Sequence, residues 1–483
     1  RKHQENTKKT PRKHQKNIKR TPKEHQKKIV SYSLQPFFIH PYSYTLLIPR
    51  LGIYTMVNFT QLAVSLAALL PLAAATPVPQ GQPAAQPSAK YIVALKPGAH
   101  APTHMRWVRD IHSRSLSKRD TAGVQKTYKV DNLEAYAGEF DASTVAQIKK
   151  NPDVAVVEQD QIWTIPEESV EVKTRGDVET RDLVTQKNAP WGLGAISSTA
   201  PGSTDYIYDS EAGQGTWAYV IDTGIRLSHS EFGGRAAFGF NSLIGSSDKE
   251  MDTHGTHVAG TIAGSTVGVA KKANIVSVKI YGQGIKTWTS DIINGYNFAV
   301  KDIRDRRRTN KAVINMSIDG PKSGITNDFI KAAYNFGVLT IAAAGNSNVD
   351  AASRSPASAP NVVAVGSIND KWRQSSFSNW GKTVSIYAPG SDVKSAWVTS
   401  DSATKSISGT SMAAPHVAGV ALSLMSRENL SAPQVVKCMK SLALKDKLTG
   451  LGKSSPNLLL NTGASQPAST PSQPKGCICC AFK

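Results

Sequence analysis

From Val184 onward the chain alternates short, almost continuously apolar runs with longer amphipathic ones, and few architectures accommodate that pattern. Thr216–Ile221 (TWAYVI), Ala273–Ile280, Ala312–Met316 (AVINM), Val338–Ala342 and Val362–Val365 present hardly any polar face. They read as strands buried on both sides. Thr289–Asp302, Asn327–Phe336, Ser411–Met425 and Ala432–Leu442 carry helical patterns between and after them. Such alternation predicts an α/β fold: a mostly parallel central sheet with helices on both faces, and ligand sites at the strands' C-terminal ends. Ahead of it, Lys90–Leu95, Arg106–Ser117, Val124–Val130, Ala135–Phe140, Ser143–Lys149 and Val154–Gln159 read as β-α-β-β-α-β. That order predicts a small ferredoxin-like α+β unit over residues 90–165.

The larger unit is expected over 184–461, joined to the smaller one by a charged, protease-accessible segment at 166–183. Residues 462–483 read as a flexible tail. The net charge of +21 is unevenly spread: thirteen Lys/Arg against two Glu in residues 1–50 place +11 there. That lead is repetitive, with KHQENTKKTP, KHQKNIKRTP and EHQKKI following one another and His3, His14 and His25 in the same phase. It is too polar to build a core. At Met56 a new pattern opens, MVNFTQLAVSLAALLPLAAATP, which has the form of a secretory signal peptide over 56–75. A Pro/Gln-rich linker occupies 76–89. A signal peptide acts at an N-terminus, so residues 1–55 are expected not to belong to the natural protein. The product is expected to be secreted and extracellular, with no nucleic-acid or membrane partner. Of four cysteines, three crowd the last seven residues and Cys438 stands alone, so the fold is not expected to rest on disulfides.

Three segments carry chemistry. Asp222 ends the apolar strand in YVIDTGI; His254 and His257 lie in THGTHVAGTIAG; Ser411 follows Gly409-Thr410 and opens an Ala-rich helix in SGTSMAAPHVAG. Taken singly these are a turn aspartate, a histidine pair at helical spacing and an N-terminal helix serine. Together they fit nucleophilic catalysis, in which a hydroxyl needs a base and the imidazole needs a carboxylate to fix its tautomer. Pro415 is expected in the first turn of the Ser411 helix, where a missing N–H does little harm.

At these residues the chain resembles the subtilisin-like serine proteases, in particular the fungal proteinase K branch. AAAGN (Ala342–Asn346), SPASAPNVVAVG and NAPWGLGAIS (Asn188–Ser197) add to the motifs above, in the family's order over most of Val184–Asn461. The order Asp222, His254, Ser411 is that of subtilisin itself. The resemblance implies Ser411 as nucleophile, His254 as general base and then acid, and Asp222 as orienting carboxylate. It implies an oxyanion hole from Asn346 and the Ser411 N–H, and substrate binding by Ser317, Ile318, Asp319, Gly320 and Gly345. His257 is left a structural role. Residues 90–163 are similar to the family's inhibitory propeptide, which implies a zymogen that cuts itself near Arg181–Val184 and is held by its own propeptide as intramolecular inhibitor. Protein and peptide substrates with a broad, mainly apolar preference follow, in a monomeric enzyme that needs no cofactor for catalysis.

The chain departs from the family in places. The substrate strand, usually S-L-G-G, reads Ser317-Ile318-Asp319-Gly320. Asp319 either biases the cleft by its charge, crowds it, or faces solvent. Carbonyls of a common structural calcium site match Pro360 and Val362, but its carboxylate position falls on Ser385, a poor ligand for a hard dication. Among three N-x-S/T sequons, only Asn429 has the setting of a glycan acceptor; Asn58 lies in the signal peptide and Asn315 in a strand. Two competing readings are a non-catalytic binding homologue, given Asp319 and Ser385, and a nucleic-acid binder acting through the basic lead.

Overall fold

The strand Trp217–Asp222 shows why the sheet is covered twice. Ala218 and Val220 join one apolar cluster and Tyr219 and Ile221 another, all at most 1% exposed. Both faces therefore exclude water, the condition that favours a parallel sheet. Across the sheet the strands run Leu444–Lys445, Leu458–Leu459, Val384–Pro389, Val363–Ile368, Leu339–Ala343, Ala312–Met316, Trp217–Asp222, Asn274–Lys279 and Ala236–Asn241. Every neighbouring pair is parallel except the first. The earliest strand in sequence thus sits between Ala312–Met316 and Asn274–Lys279, and the strand order reverses there. Helices Thr253–Ala263, Thr410–Glu428 and Ala432–Leu442 bury their residues in one cluster; Thr289–Asp305 and Gly324–Asn335 bury theirs in the other.

This computed structural model describes residues 90–115, 120–165, 183–243, 245–246, 253–282 and 286–464, all within the unit Gly81–Lys483. The lead, signal peptide and linker expected over 1–89, with Asn58, lie outside the described residues, as do 166–182 and most of the tail. Among the described residues no helix is long and apolar enough to cross a membrane.

The smaller unit is β1 (Lys90–Leu95), α1 (Ala101–Arg114), β2 (Gly123–Val130), β3 (Leu133–Glu139), α2 (Ala142–Lys150) and β4 (Val154–Gln159). Its sheet order, β2-β3-β1-β4, is antiparallel at every junction. Helix α1 starts five residues earlier than the apolar pattern indicated, because the His100 ring accepts the Thr103 N–H and Pro102 fits the first turn. One face of this sheet packs on α1 and α2 through Val93, Tyr136, Phe140 and Ile148. The other, with Ile92, Tyr128 and Ala137, joins the cluster that holds the helices Thr289–Asp305 and Gly324–Asn335.

The strands without a legible sequence pattern include Ala236–Asn241, Val384–Pro389 and a short β5, Ile162–Thr164. The first contains Gly239 and the second ends in Pro389, residues that weaken strand propensity until neighbours supply the ladder. Cys438, on the helix Ala432–Leu442, is buried and disulfide-bonded.

Candidate active site

Asp222 is the last residue of the strand at the reversal point and is fully buried. Its carboxylate accepts the Thr223 N–H at 2.7 Å and faces His254, whose Nδ1 lies 2.8 and 3.0 Å from the two oxygens. His254 is the second residue of the helix Thr253–Ala263. The Gly255 N–H donates to Thr223 Oγ1 at 3.0 Å, fastening that helix start to the turn after Asp222. The Nδ1–H bond fixes the tautomer and leaves Nε2 as the basic nitrogen.

His257, one turn further on, is fully buried. Its Nε2–H donates to the carbonyls of Val393 (2.8 Å) and Lys405 (3.1 Å), and its own carbonyl accepts Ser395 Oγ–H at 2.7 Å. Burial pushes its pKa down to about 3 against the pull of those hydrogen bonds. The two histidines of one motif therefore have different neighbours: a carboxylate for the first, backbone carbonyls for the second.

Ser411 is the second residue of the helix Thr410–Glu428, behind Gly409. Pro415 is the sixth residue of this helix, just past the expected first turn. A residue with an N–H at 415 would donate it to the Ser411 carbonyl; proline cannot. Ser317 Oγ–H donates to that carbonyl instead, at 2.8 Å, and Ser317 Oγ in turn accepts from Asn315 Nδ2 at 2.9 Å. The side chain of Ser317, a residue of the expected substrate strip, thus holds the Ser411 backbone. Asn315 is fully buried, which removes it as a glycan acceptor. Ser317→Ala is expected to lower stability by about 1–3 kcal/mol by orphaning a buried carbonyl. It should also reduce kcat more than it raises KM. Urea unfolding and peptide kinetics check this; unchanged unfolding would refute the assignment.

Asn346 follows the strand Leu339–Ala343 and Gly345, whose φ of +106° suits glycine. Asn346 Oδ1 accepts from both the N–H (2.8 Å) and the hydroxyl (2.7 Å) of Thr410. Its carbonyl end is thereby spent, so Nδ2 turns to the other side. A Cβ placed on Gly409 would lie 3.4 Å from Asn346 Nδ2 and 3.5 Å from the Ser411 nitrogen. Two donors thus flank one small space beside the serine, the arrangement that stabilises an oxyanion.

The strip Ser317–Gly320 starts at the residue that holds the Ser411 carbonyl. Ile318 is in the core, 2% exposed. Asp319 is not solvent-facing: its two oxygens accept from Arg354 Nε and Nη2, each at 2.9 Å. A Cβ on Gly320 would collide with the Trp163 ring at 2.2 Å. Trp163 belongs to β5, which pairs antiparallel with Lys286–Trp288 and donates its indole N–H to Thr289 Oγ1 at 2.9 Å. The small unit therefore lays an extended segment against Gly320 and the strand Lys286–Trp288. It also reaches two helix starts. Asp160 accepts the Ser290 N–H at 2.9 Å, where the N-cap Trp288 offers no side-chain cap. Glu158 accepts from the Ile325 N–H at 3.1 Å and Ser323 Oγ–H at 2.8 Å. Carboxylates at helix N-termini satisfy orphan donors and oppose the dipole.

Ser385 Oγ–H donates to the Val362 carbonyl at 3.4 Å, so Pro360, Val362 and Ser385 offer no carboxylate and do not fit a hard dication. No cluster of three or more His, Cys, Asp or Glu able to hold a metal occurs among the described residues. Asn429 is exposed at the C-cap of the Ser411 helix, roughly 27 Å from the serine at the α-helical rise. Sequence reasoning missed Thr410, which fixes Asn346, although it lies within the serine motif. It also missed Arg354 and Trp163, distant in sequence from their partners and without a local signal.

Residues 213–457 match the Subtilase family and residues 90–166 the Peptidase inhibitor I9 family. The chain is 50% identical to the alkaline proteinase of Hapsidospora chrysogena over 84% of this chain and 99% of that protein. To subtilisin-like proteinase Mp1 of Magnaporthiopsis poae it is 47% identical, with 84% and 99% covered. A crystal structure of a cold adapted subtilisin-like serine proteinase superposes with a TM-score of 0.54 at 41% identity, covering 57% of this chain and 98% of that one. With the geometry above, these relationships identify the chain as a serine protease of the subtilase family, preceded by an I9-type inhibitor unit.

Proposed function

We propose that the protein is a secreted serine endopeptidase made as a self-processing zymogen, with Asp222, His254 and Ser411 as its triad. Two observations support this: the His254 imidazole is oriented by the Asp222 carboxylate, and two donors flank one small space at the N-terminal turn of the Ser411 helix. Ser411 Oγ attacks the scissile carbonyl as His254 Nε2 takes its proton. Asp222 keeps the imidazole in its tautomer and stabilises the imidazolium. The developing oxyanion accepts from the Ser411 N–H and Asn346 Nδ2. His254 then protonates the leaving amine, and water, deprotonated by the same imidazole, releases the acyl group.

Residues 90–165 act first as template and then as inhibitor, because β5 occupies the edge where a substrate strand would pair. The cut falls in or near 166–184. The enzyme works as a monomer on proteins and peptides of mainly apolar preference, uses no catalytic cofactor, and carries any N-linked glycan at Asn429.

Expression from Met56, with Ser411→Ala alongside, tests the proposal. Wild type is expected to shed the smaller unit, hydrolyse casein and react with a sulfonyl fluoride; Ser411→Ala is expected to remain full length and do none of these. A correctly folded wild type that stays intact and inert would defeat it.

A further inference from the structure

We infer that the Asp319–Arg354 ion pair determines which side chains the cleft accepts next to the bond it cuts, excluding basic and acidic residues alike in favour of uncharged ones. The inference rests on the peptidase reading and goes beyond it to a particular pair of residues.

The position of the pair follows from the oxyanion hole. The residue whose carbonyl oxygen enters the hole between the Ser411 N–H and Asn346 Nδ2 must place its side chain beside that hole. Gly345 precedes Asn346 there, and a Cβ on Gly345 would meet Asp319 Cγ at 2.8 Å and Oδ1 at 2.9 Å. Asp319 therefore stands directly against the wall of the hole. Its strip is fixed at both ends: Ser317 holds the Ser411 carbonyl, and Gly320 lies under Trp163 of the segment seated in the cleft. Asp319 therefore lies along this strip between the residue that holds Ser411 and the residue under Trp163.

The charge of the pair is cancelled. Arg354 donates Nε–H and Nη2–H to separate oxygens at 2.9 Å each, the forked geometry that consumes a carboxylate most completely. Backbone pairing enforces it, because Gly320 faces Ser355 and Pro321 faces Arg354 across a short antiparallel ladder. The side chains are only 11% and 28% exposed. Burial pushes the Asp319 carboxyl up, and the Arg354 guanidinium opposes this.

A lone carboxylate in such a pocket selects lysine and arginine. With both oxygens held by Arg354, an incoming lysine meets the guanidinium and an incoming glutamate meets the carboxylate. Neither finds a free partner, and each would carry its charge into a site with little water.

Tetrapeptide anilides that differ only in the residue before the anilide (Phe, Leu, Lys, Glu) test this on the mature enzyme. Wild type is expected to cut Phe and Leu about tenfold or more faster than Lys and Glu, in kcat/KM. Arg354→Gln leaves Asp319 uncompensated and should raise the Lys-to-Phe ratio about tenfold; Asp319→Asn leaves Arg354 and should raise the Glu-to-Phe ratio similarly. Opposite shifts do not arise from general loosening. Unchanged ratios in both variants, with Ser411 still labelled by a sulfonyl fluoride, overturn the inference and leave the peptidase reading intact. If neither variant folds, the wild-type panel decides: a preference for Lys or Glu overturns it. A wild type that neither labels nor cleaves any substrate removes the peptidase reading and the inference with it.

Discussion

His254→Ala is expected to abolish self-processing and to lower kcat on the order of 10⁶-fold, a magnitude carried over from subtilisin itself rather than obtained from this geometry. Its folding should be nearly untouched, because the ring bonds the Asp222 carboxylate at the C-terminal end of a central strand. His257→Ala should behave in the opposite way. It removes a fully buried ring whose Nε2–H ties the strands Val393–Ala396 and Thr404–Ile407 to the helix. Loss of that packing and of two satisfied carbonyls is expected to cost about 2–4 kcal/mol. The comparison needs both variants purified with the propeptide supplied in trans, then circular-dichroism melts beside burst kinetics. Equal catalytic loss in two equally stable proteins would contradict this division of labour.

The mature domain should also unfold steeply in acid. Burial pushes His257 down to about 3 and His416 to about 4, the latter while its Nδ1–H donates to the Met412 carbonyl. In the unfolded chain both rings protonate near pH 6.5. Both folded values are depressed, so the unfolded state binds more protons between about pH 6.5 and pH 3–4, and stability falls as pH falls through that window. Above it the contribution is fully present. Each tenfold difference in proton affinity is worth about 1.4 kcal/mol, so the two rings together weaken the fold by on the order of 5 kcal/mol at pH 4. That is comparable with the whole stability of many domains. Urea unfolding of the Ser411→Ala peptidase domain, folded with the propeptide supplied in trans and unable to digest itself, at pH 8, 6 and 4 measures the effect. A midpoint independent of pH over that range would exclude it. Replacing His416 by Gln should flatten part of the slope if the variant keeps its midpoint at pH 8.

What the sequence disclosed and what it withheld divide along physical lines. Runs buried on both faces, such as AVINM, were legible as strands because burial leaves a continuous apolar signature. Asp222, His254, Asn346 and Ser411 were legible because each sits in a local motif whose backbone geometry is set by adjacent residues. Arg354 was not, because its partner Asp319 is brought near only by the pairing of two two-residue strands. The same holds for β5. A three-residue strand has no periodicity of its own, and it exists because Lys286–Trp288 gives it an edge. The position of Pro415 in its helix depended on where the helix starts, which helical pattern fixes only within a residue or two.

The contact from Ser317 to the Ser411 carbonyl has a consequence for how such chains diverge. The proline in the Ser411 helix and the serine just after the strand Ala312–Met316 form one device, since the first creates the vacancy that the second fills. A descendant that exchanged Pro415 for an ordinary residue would regain the helical bond and free Ser317 to drift. One that lost the serine first would carry a dangling acceptor behind its reacting atom. The order of those two substitutions is therefore constrained: the helix must change before the strand does.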